Sequence, residues 1–103
     1  MKTLRVAGVA LFLALPLAAQ GEELGRKVFT EIAQPSCALC HTLKAASAEG
    51  TVGPSLDELK PDKARALRAI RNGMGAMPSF ADKLTAEQIE AVAAFIASAA
   101  GRE

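Results

Sequence analysis

The sequence predicts an all-α domain of three to four helices, folded around something besides its own side chains. Three segments place apolar residues at helical spacing, and no segment alternates apolar and polar residues as a half-buried strand does. The chain has 103 residues, with no Trp, no Tyr and only four Phe. A domain of this size with so few large side chains has a thin core of its own. We therefore expect a bound group to complete the core.

The first two predicted helices have recognisable boundaries. Residues 22–32 carry apolar side chains four apart, which is one helical face, and Pro35 ends this segment. The second helix begins at Pro61 and Asp62, because proline and acidic residues favour first turns, and it ends at Gly73.

The third predicted helix begins with a capping box formed by Thr85 and Gln88, and its apolar stripe runs to about Ala100. Residues 45–53 are small and polar, and residues 73–80 are irregular, so both segments are predicted to be loops.

The N-terminus predicts a secretory signal peptide. Lys2 and Arg5 precede an uninterrupted apolar run over residues 6–15, and small residues follow. We expect cleavage after Ala19, which leaves one domain of residues 20–103 in the periplasm. A retained membrane anchor is the alternative, but the apolar run is shorter than the roughly 20 residues that span a bilayer.

The charge of the mature chain argues against nucleic acid as a partner. Without the predicted signal peptide, ten Lys and Arg face eleven Asp and Glu, which leaves no basic footprint. We expect a monomer that is not stably inserted in a membrane. Five positive residues concentrate on the second helix, where a solvated face is favoured over a docking surface: Lys60, Lys63, Arg65, Arg68 and Arg71.

All of the cysteine and histidine in the chain lies in one stretch, Cys37-Ala38-Leu39-Cys40-His41. Two thiols at this spacing can each add to a vinyl group of haem, and the adjacent imidazole is then held beside the iron as an axial ligand. The motif therefore favours one covalently attached haem c.

Three other chemistries fit the two thiols less well. A disulfide between them closes a very short loop and stabilises the fold little. A thiol-disulfide oxidoreductase expects the motif after a strand of an α/β pattern, and no strand is predicted here. A zinc site needs a fourth ligand and usually draws its ligands from separated pairs.

The sixth iron ligand decides between electron transfer and ligand binding. The chain has no second His, so Met74 and Met77 are the candidates. Met74 continues the apolar stripe of the second helix, which favours packing. Met77 is preceded by glycines and followed by Pro78, which biases it away from helical geometry, so we expect Met77 to be the ligand. Core packing of both methionines over a five-coordinate iron is the alternative.

Several ordered signals together resemble the small single-haem class I cytochromes c. They are Gly25 and Phe29 in the first helix, the Cys37 to His41 motif, Gly53-Pro54, Asn72-Gly73, Met77-Pro78, and Phe95 in the last helix. The resemblance covers nearly all of residues 20–103 and implies the cytochrome c fold.

The resemblance also implies a role for each site residue. Cys37 and Cys40 would carry the thioethers, and His41 and Met77 would be the axial ligands of the iron. The carbonyl of Pro54 would accept a hydrogen bond from His41 and so orient the imidazole.

The functional expectation is a one-electron carrier rather than an enzyme, passing electrons from a dehydrogenase to an oxidase or reductase. The alternative is a dedicated haem subunit or electron acceptor of one periplasmic dehydrogenase, such as a sulfite or alcohol oxidoreductase. The family often binds a haem propionate through Trp or Tyr, which are missing here. Arg71 and Lys44 are the candidate replacements, with an ordinary solvated charge as the alternative.

Overall fold

The computed structural model describes residues 16–102, together with Gly8 and Ala14. Most of the predicted signal peptide therefore lies outside the described residues. The described part of the chain is mostly helical, which confirms the all-α prediction. Its elements are α1 Leu17–Lys27, α2 Cys37–Cys40, β1 Thr42–Leu43, β2 Ala48–Glu49, α3 Leu56–Leu59, α4 Lys63–Asn72 and α5 Ala86–Ala99. None of the described helices is long and apolar enough to cross a membrane.

The first helical segment begins earlier than predicted, and its π-helical last turn ends at Ile32 as predicted. It starts at Leu17 rather than at Glu22, and after Lys27 it continues as a π-helical turn over Val28–Ile32. The added first turn reads Leu-Ala-Ala-Gln, four strong helix formers, and needs no side-chain cap at the preceding proline. The predicted cleavage site after Ala19 lies within this first turn.

Helices α4 and α5 have the predicted caps. The side chain of Asp62 accepts a hydrogen bond from the Arg65 N–H at 2.8 Å, and Gly73 ends α4 with a φ of 71°. Thr85 Oγ1 accepts from the Gln88 N–H at 3.1 Å, while Gln88 Oε1 accepts from the Thr85 N–H at 2.9 Å. The capping box is therefore complete, and both caps were visible as local sequence patterns.

The expectation of no strand was wrong for the segment after the cysteine motif. Strands β1 and β2 form a short antiparallel pair, joined by a 3₁₀ turn over Lys44–Ala46 and by Ser47 in the left-handed region. The predicted loop over residues 45–53 thus contains part of a hairpin. Each strand has two residues, which is too few for an alternating pattern to show in the sequence. Helices α2 and α3 are single turns and escaped prediction for the same reason.

Helices α1 and α5 cross at very short distance. A Cβ atom on Gly25 would lie 2.4 Å from the Ala91 carbonyl oxygen and 2.5 Å from the Phe95 Cβ, so only glycine fits at this crossing. The rings of Phe29 and Phe95 meet edge to face, with centroids 6.2 Å apart, and both side chains are fully buried. This crossing forms the core behind the functional site.

The C-terminal segment is fastened to the rest of the fold by two polar contacts. Asp57 accepts hydrogen bonds from the Lys44 N–H at 2.9 Å and from the Gly101 N–H at 2.8 Å. Partial desolvation favours the protonated form of Asp57, but these donors and the charge of Lys44 outweigh it and lower the pKa of the carboxyl. Arg102 forms an ion pair with Glu22 at 2.7 Å.

Candidate haem crevice

The helices enclose a crevice of about 400 Å³ with largely apolar walls. Cys37, Cys40 and His41 of the cysteine motif line it, together with Met74 and Met77 from a remote part of the sequence. The apolar side chains that line it come from the π-helical turn, α3, α4, α5 and the loop before α5, including Phe29, Leu56, Ile70, Leu84, Val92 and Ile96. A flat apolar macrocycle with two reactive vinyl groups matches both the walls and the donor set of this crevice.

Both thiols are presented by the single turn of α2. Ser36 caps this turn, since its Oγ accepts from the Ala38 N–H at 3.3 Å and donates to the Phe29 carbonyl at 3.1 Å. Cys37 and Cys40 do not form a disulfide with each other. Burial, with a smaller contribution from the neighbouring Cys40, raises the pKa of Cys37 to about 11.

The imidazole of His41 is held by the segment before α3. Its Nδ1 lies 2.8 Å from the Pro54 carbonyl oxygen, as the resemblance implies. A carbonyl can only accept, so Nδ1 carries the proton and Nε2 keeps a lone pair for a metal. A Cβ atom on Gly53 would lie 2.6 Å from His41 Cε1. This contact was not predicted, although the Gly-Pro pair was the available signal.

Met74 and Met77 occupy the two ends of a tight turn. Each donates its N–H to the carbonyl of the other, at 3.0 and 2.9 Å. Met77 is half-buried, whereas the side chain of Met74 is 73% exposed. The interpretation of Met74 as a continuation of the α4 stripe was wrong, because Gly73 ends the helix one residue earlier.

The residues after Met77 are fastened to the end of α4. Phe80 donates its N–H to the Ile70 carbonyl at 2.8 Å, and Ser79 Oγ donates to the Arg71 carbonyl while accepting from the Ala81 N–H at 3.2 Å. These bonds fix the path of the chain on the C-terminal side of Met77.

The two candidate cations for a haem propionate lie outside the crevice. Arg71 is 3.3 Å from Glu90, which also pairs with Lys63 at 2.8 Å. Lys44 belongs to the turn between the strands and does not line the crevice. Arg65 does line the crevice. The sequence alone groups Arg65 with four other positive residues of the second helix and does not distinguish it from them.

The comparison with known proteins assigns the chain to a family. Residues 20–96 match the family described as cytochrome C oxidase, cbb3-type, subunit III. A cytochrome c6 from Rippkaea orientalis is 35% identical over 84% of this chain and 78% of the relative. A second, from Thermostichus vulcanus, is 34% identical over 91% of this chain and 86% of the relative. The chain belongs to the cytochrome c family.

A solved structure agrees with this assignment. The crystal structure of the c-type cytochrome SorU from Sinorhizobium meliloti matches this cytochrome with a TM-score of 0.76 and 50% sequence identity, covering 81% of this chain and 94% of that one. This chain therefore has the cytochrome c fold and carries a covalently bound haem c. It is an electron-transfer protein rather than an enzyme, and its partners are redox proteins.

Proposed function

We propose that this cytochrome c is a periplasmic one-electron carrier whose haem is attached through Cys37 and Cys40 and ligated by His41 and Met77. One observation carries the proposal: these four residues line a single apolar crevice. The bound haem supplies one-electron Fe(III)/Fe(II) chemistry. With His41 and Met77 both holding the iron, the protein would leave no position there for a substrate.

Each axial residue has a defined task. The Pro54 carbonyl orients His41 and increases the basicity of its free nitrogen. The thioether of Met77 favours the reduced iron and so raises the reduction potential. Met74 and Met77 both line the crevice, and Met77 is the better candidate because it is half-buried, whereas Met74 is 73% exposed.

The Met77 assignment is tested by comparing Met77→Ala with Met74→Ala. We expect Met77→Ala to lose the weak sulfur-to-iron band at the red edge of the oxidised spectrum, and to bind carbon monoxide when reduced. Met74→Ala is the matched control, because it removes the same side chain from the other end of the turn and should keep the wild-type spectrum. Survival of the band in Met77→Ala, or its loss in Met74→Ala, would contradict the assignment.

The location and the domain boundaries form a second part of the proposal. Residues 1–19 are the signal peptide, and residues 20–103 are the cytochrome domain. This rests on the basic start, the short apolar run and the small residues before the cut. The mature chain, with ten Lys and Arg against eleven Asp and Glu, then diffuses between its redox partners.

Cell fractionation tests this part. We expect the haem protein in the periplasmic fraction, with Gln20 at its N-terminus by mass spectrometry and the size of one chain by gel filtration. Recovery in the membrane fraction with residues 1–19 intact would contradict cleavage. Elution in a stable complex with a dehydrogenase would instead support the dedicated acceptor.

A further inference from the structure

The walls of the crevice offer few positive side chains for the two carboxylates of a haem. A haem carries two propionates at the edge of the ring opposite its two vinyl groups, and the vinyl edge is the one that faces the cysteine motif. Carboxylates at an apolar wall are costly unless they are paired or hydrogen-bonded. Among the described residues that line the crevice, His41 and Arg65 are the only ones with a side chain that can carry positive charge. His41 is already committed to Pro54 and the iron.

The position of Arg65 suits an anionic partner. It is the third residue of α4, and it lines the crevice beside Leu59, Pro61 and Ala66. Its backbone N–H is satisfied by Asp62, and no carboxylate of the described residues forms an ion pair with its guanidinium. The N-terminal end of a helix also carries partial positive charge, which adds to the attraction.

We propose that Arg65 binds a haem propionate and thereby helps to set the reduction potential; this inference rests on the haem site proposed above. The planar guanidinium can hold a carboxylate through two parallel hydrogen bonds. Arg65 is thus a positioning residue that fixes the propionate edge of the ring, while α2 fixes the vinyl edge.

The other cations of α4 do not fit this role. Lys63 and Arg71 are both paired with Glu90 on α5. Arg68 is exposed, as Arg65 is, but unlike Arg65 it does not line the crevice. Of the five positive residues, Lys63 and Arg71 pair α4 with α5, and Arg65 lines the crevice. Lys60 and Arg68 do neither.

The sign of the effect follows from electrostatics. Reduction of the iron removes one positive charge from the site, so a nearby cation favours the reduced form and an unpaired propionate favours the oxidised form. Removal of the Arg65 guanidinium both withdraws the cation and leaves the propionate unpaired. Both changes lower the reduction potential.

The test compares Arg65→Gln with Arg68→Gln in the holoprotein by potentiometric titration at neutral pH. At the wild-type midpoint potential we expect Arg65→Gln to lower the ratio of reduced to oxidised protein by roughly three- to tenfold. Arg68→Gln removes the same charge from the same helix and should change this ratio by less than about twofold. Arg65→Lys should recover most of the wild-type ratio, because it restores the charge without the planar fork.

An infrared difference spectrum between the two redox states supplies an independent readout. The carboxylate bands of the propionates should shift in Arg65→Gln and stay unchanged in Arg68→Gln. Equal potentials and equal carboxylate bands in the two Gln variants would overturn the role of Arg65. Failure of the haem ligation itself would show differently, as absence of the sulfur-to-iron band in the wild-type protein.

Discussion

Gly53 sets the position of the His41 ring. A Cβ atom there would lie 2.6 Å from Cε1 and 2.9 Å from Nδ1, which is closer than real Cβ atoms come to other atoms. The constraint is one of space, because the imidazole lies directly against the backbone of residue 53. The same segment then offers the Pro54 carbonyl to Nδ1 at 2.8 Å. The imidazole is therefore held both by packing and by a hydrogen bond.

Gly53→Ala should displace the imidazole and weaken its bond to Pro54. We expect a loss of about 1 to 3 kcal/mol of unfolding free energy, as for overpacked sites, together with a lower haem content per chain. Haem absorbance per protein and thermal unfolding measure the two effects.

Gly21→Ala is the control for Gly53→Ala, since a Cβ atom on Gly21 in α1 meets nothing within 4 Å. It should leave the haem content unchanged and stabilise α1 slightly. Wild-type haem content and stability in Gly53→Ala would show that the ring has room to move.

Individual site residues were predictable where a local pattern carries the chemistry. Cys37, Cys40 and His41 are contiguous, so their spacing alone indicates haem attachment. Arg65 was not assignable in this way, because the sequence shows a helix with several cations but not which one faces the cavity. That depends on how α4 is rotated against α5, which is set by contacts remote in the sequence.

At the scale of elements, helix boundaries with a cap were predicted better than the uncapped start of α1. The predicted boundaries lie at Asp62, Gly73 and the Thr85 capping box. Each is formed by hydrogen bonds between residues close in sequence, so a short sequence pattern predicts it. The start of α1 has no side-chain cap, so nothing local marked it. The two-residue strands depend on pairing across a turn, for which their own sequences carry no signal.

The end of α4 also accounts for the difference between the two methionines. Gly73 ends the helix, and in the turn that follows Met74 is exposed while Met77 is half-buried, although both line the crevice. A Cβ atom on Gly73 would lie 2.7 Å from the Met77 carbonyl oxygen, so the turn can close this tightly only with glycine there. The difference in exposure between the two methionines thus follows from the residue that ends the helix.

At the scale of the whole molecule, the crevice lies between the π-helical turn, α3, α4 and α5. Buried residues from the π-helical turn, α3, α4 and α5 all contribute to its walls, including Phe29, Leu56, Ile70 and Val92. In the absence of haem these walls would face water. The cofactor is therefore part of the core, and the free energy of binding it is also free energy of folding.

A chain that cannot attach haem should therefore be poorly folded. In the double variant Cys37→Ala/Cys40→Ala, expressed without haem, we expect strong binding of a hydrophobic dye, narrow amide proton dispersion and no sharp calorimetric transition. The wild-type holoprotein should unfold cooperatively. These readouts suit a chain without Trp and Tyr, whose aromatic circular dichroism is weak. A cooperative, native-like melt of the haem-free variant would show that the side chains alone suffice.

The ion pair between Glu22 and Arg102 brings together two residues that are 80 positions apart. Residues 22 and 102, the two ends of this segment, therefore lie next to each other in the fold. A module with this property can be spliced into a surface loop of a larger protein, or given new ends elsewhere, without being pulled apart. We therefore expect this cytochrome domain to tolerate insertion into another protein with its haem site intact.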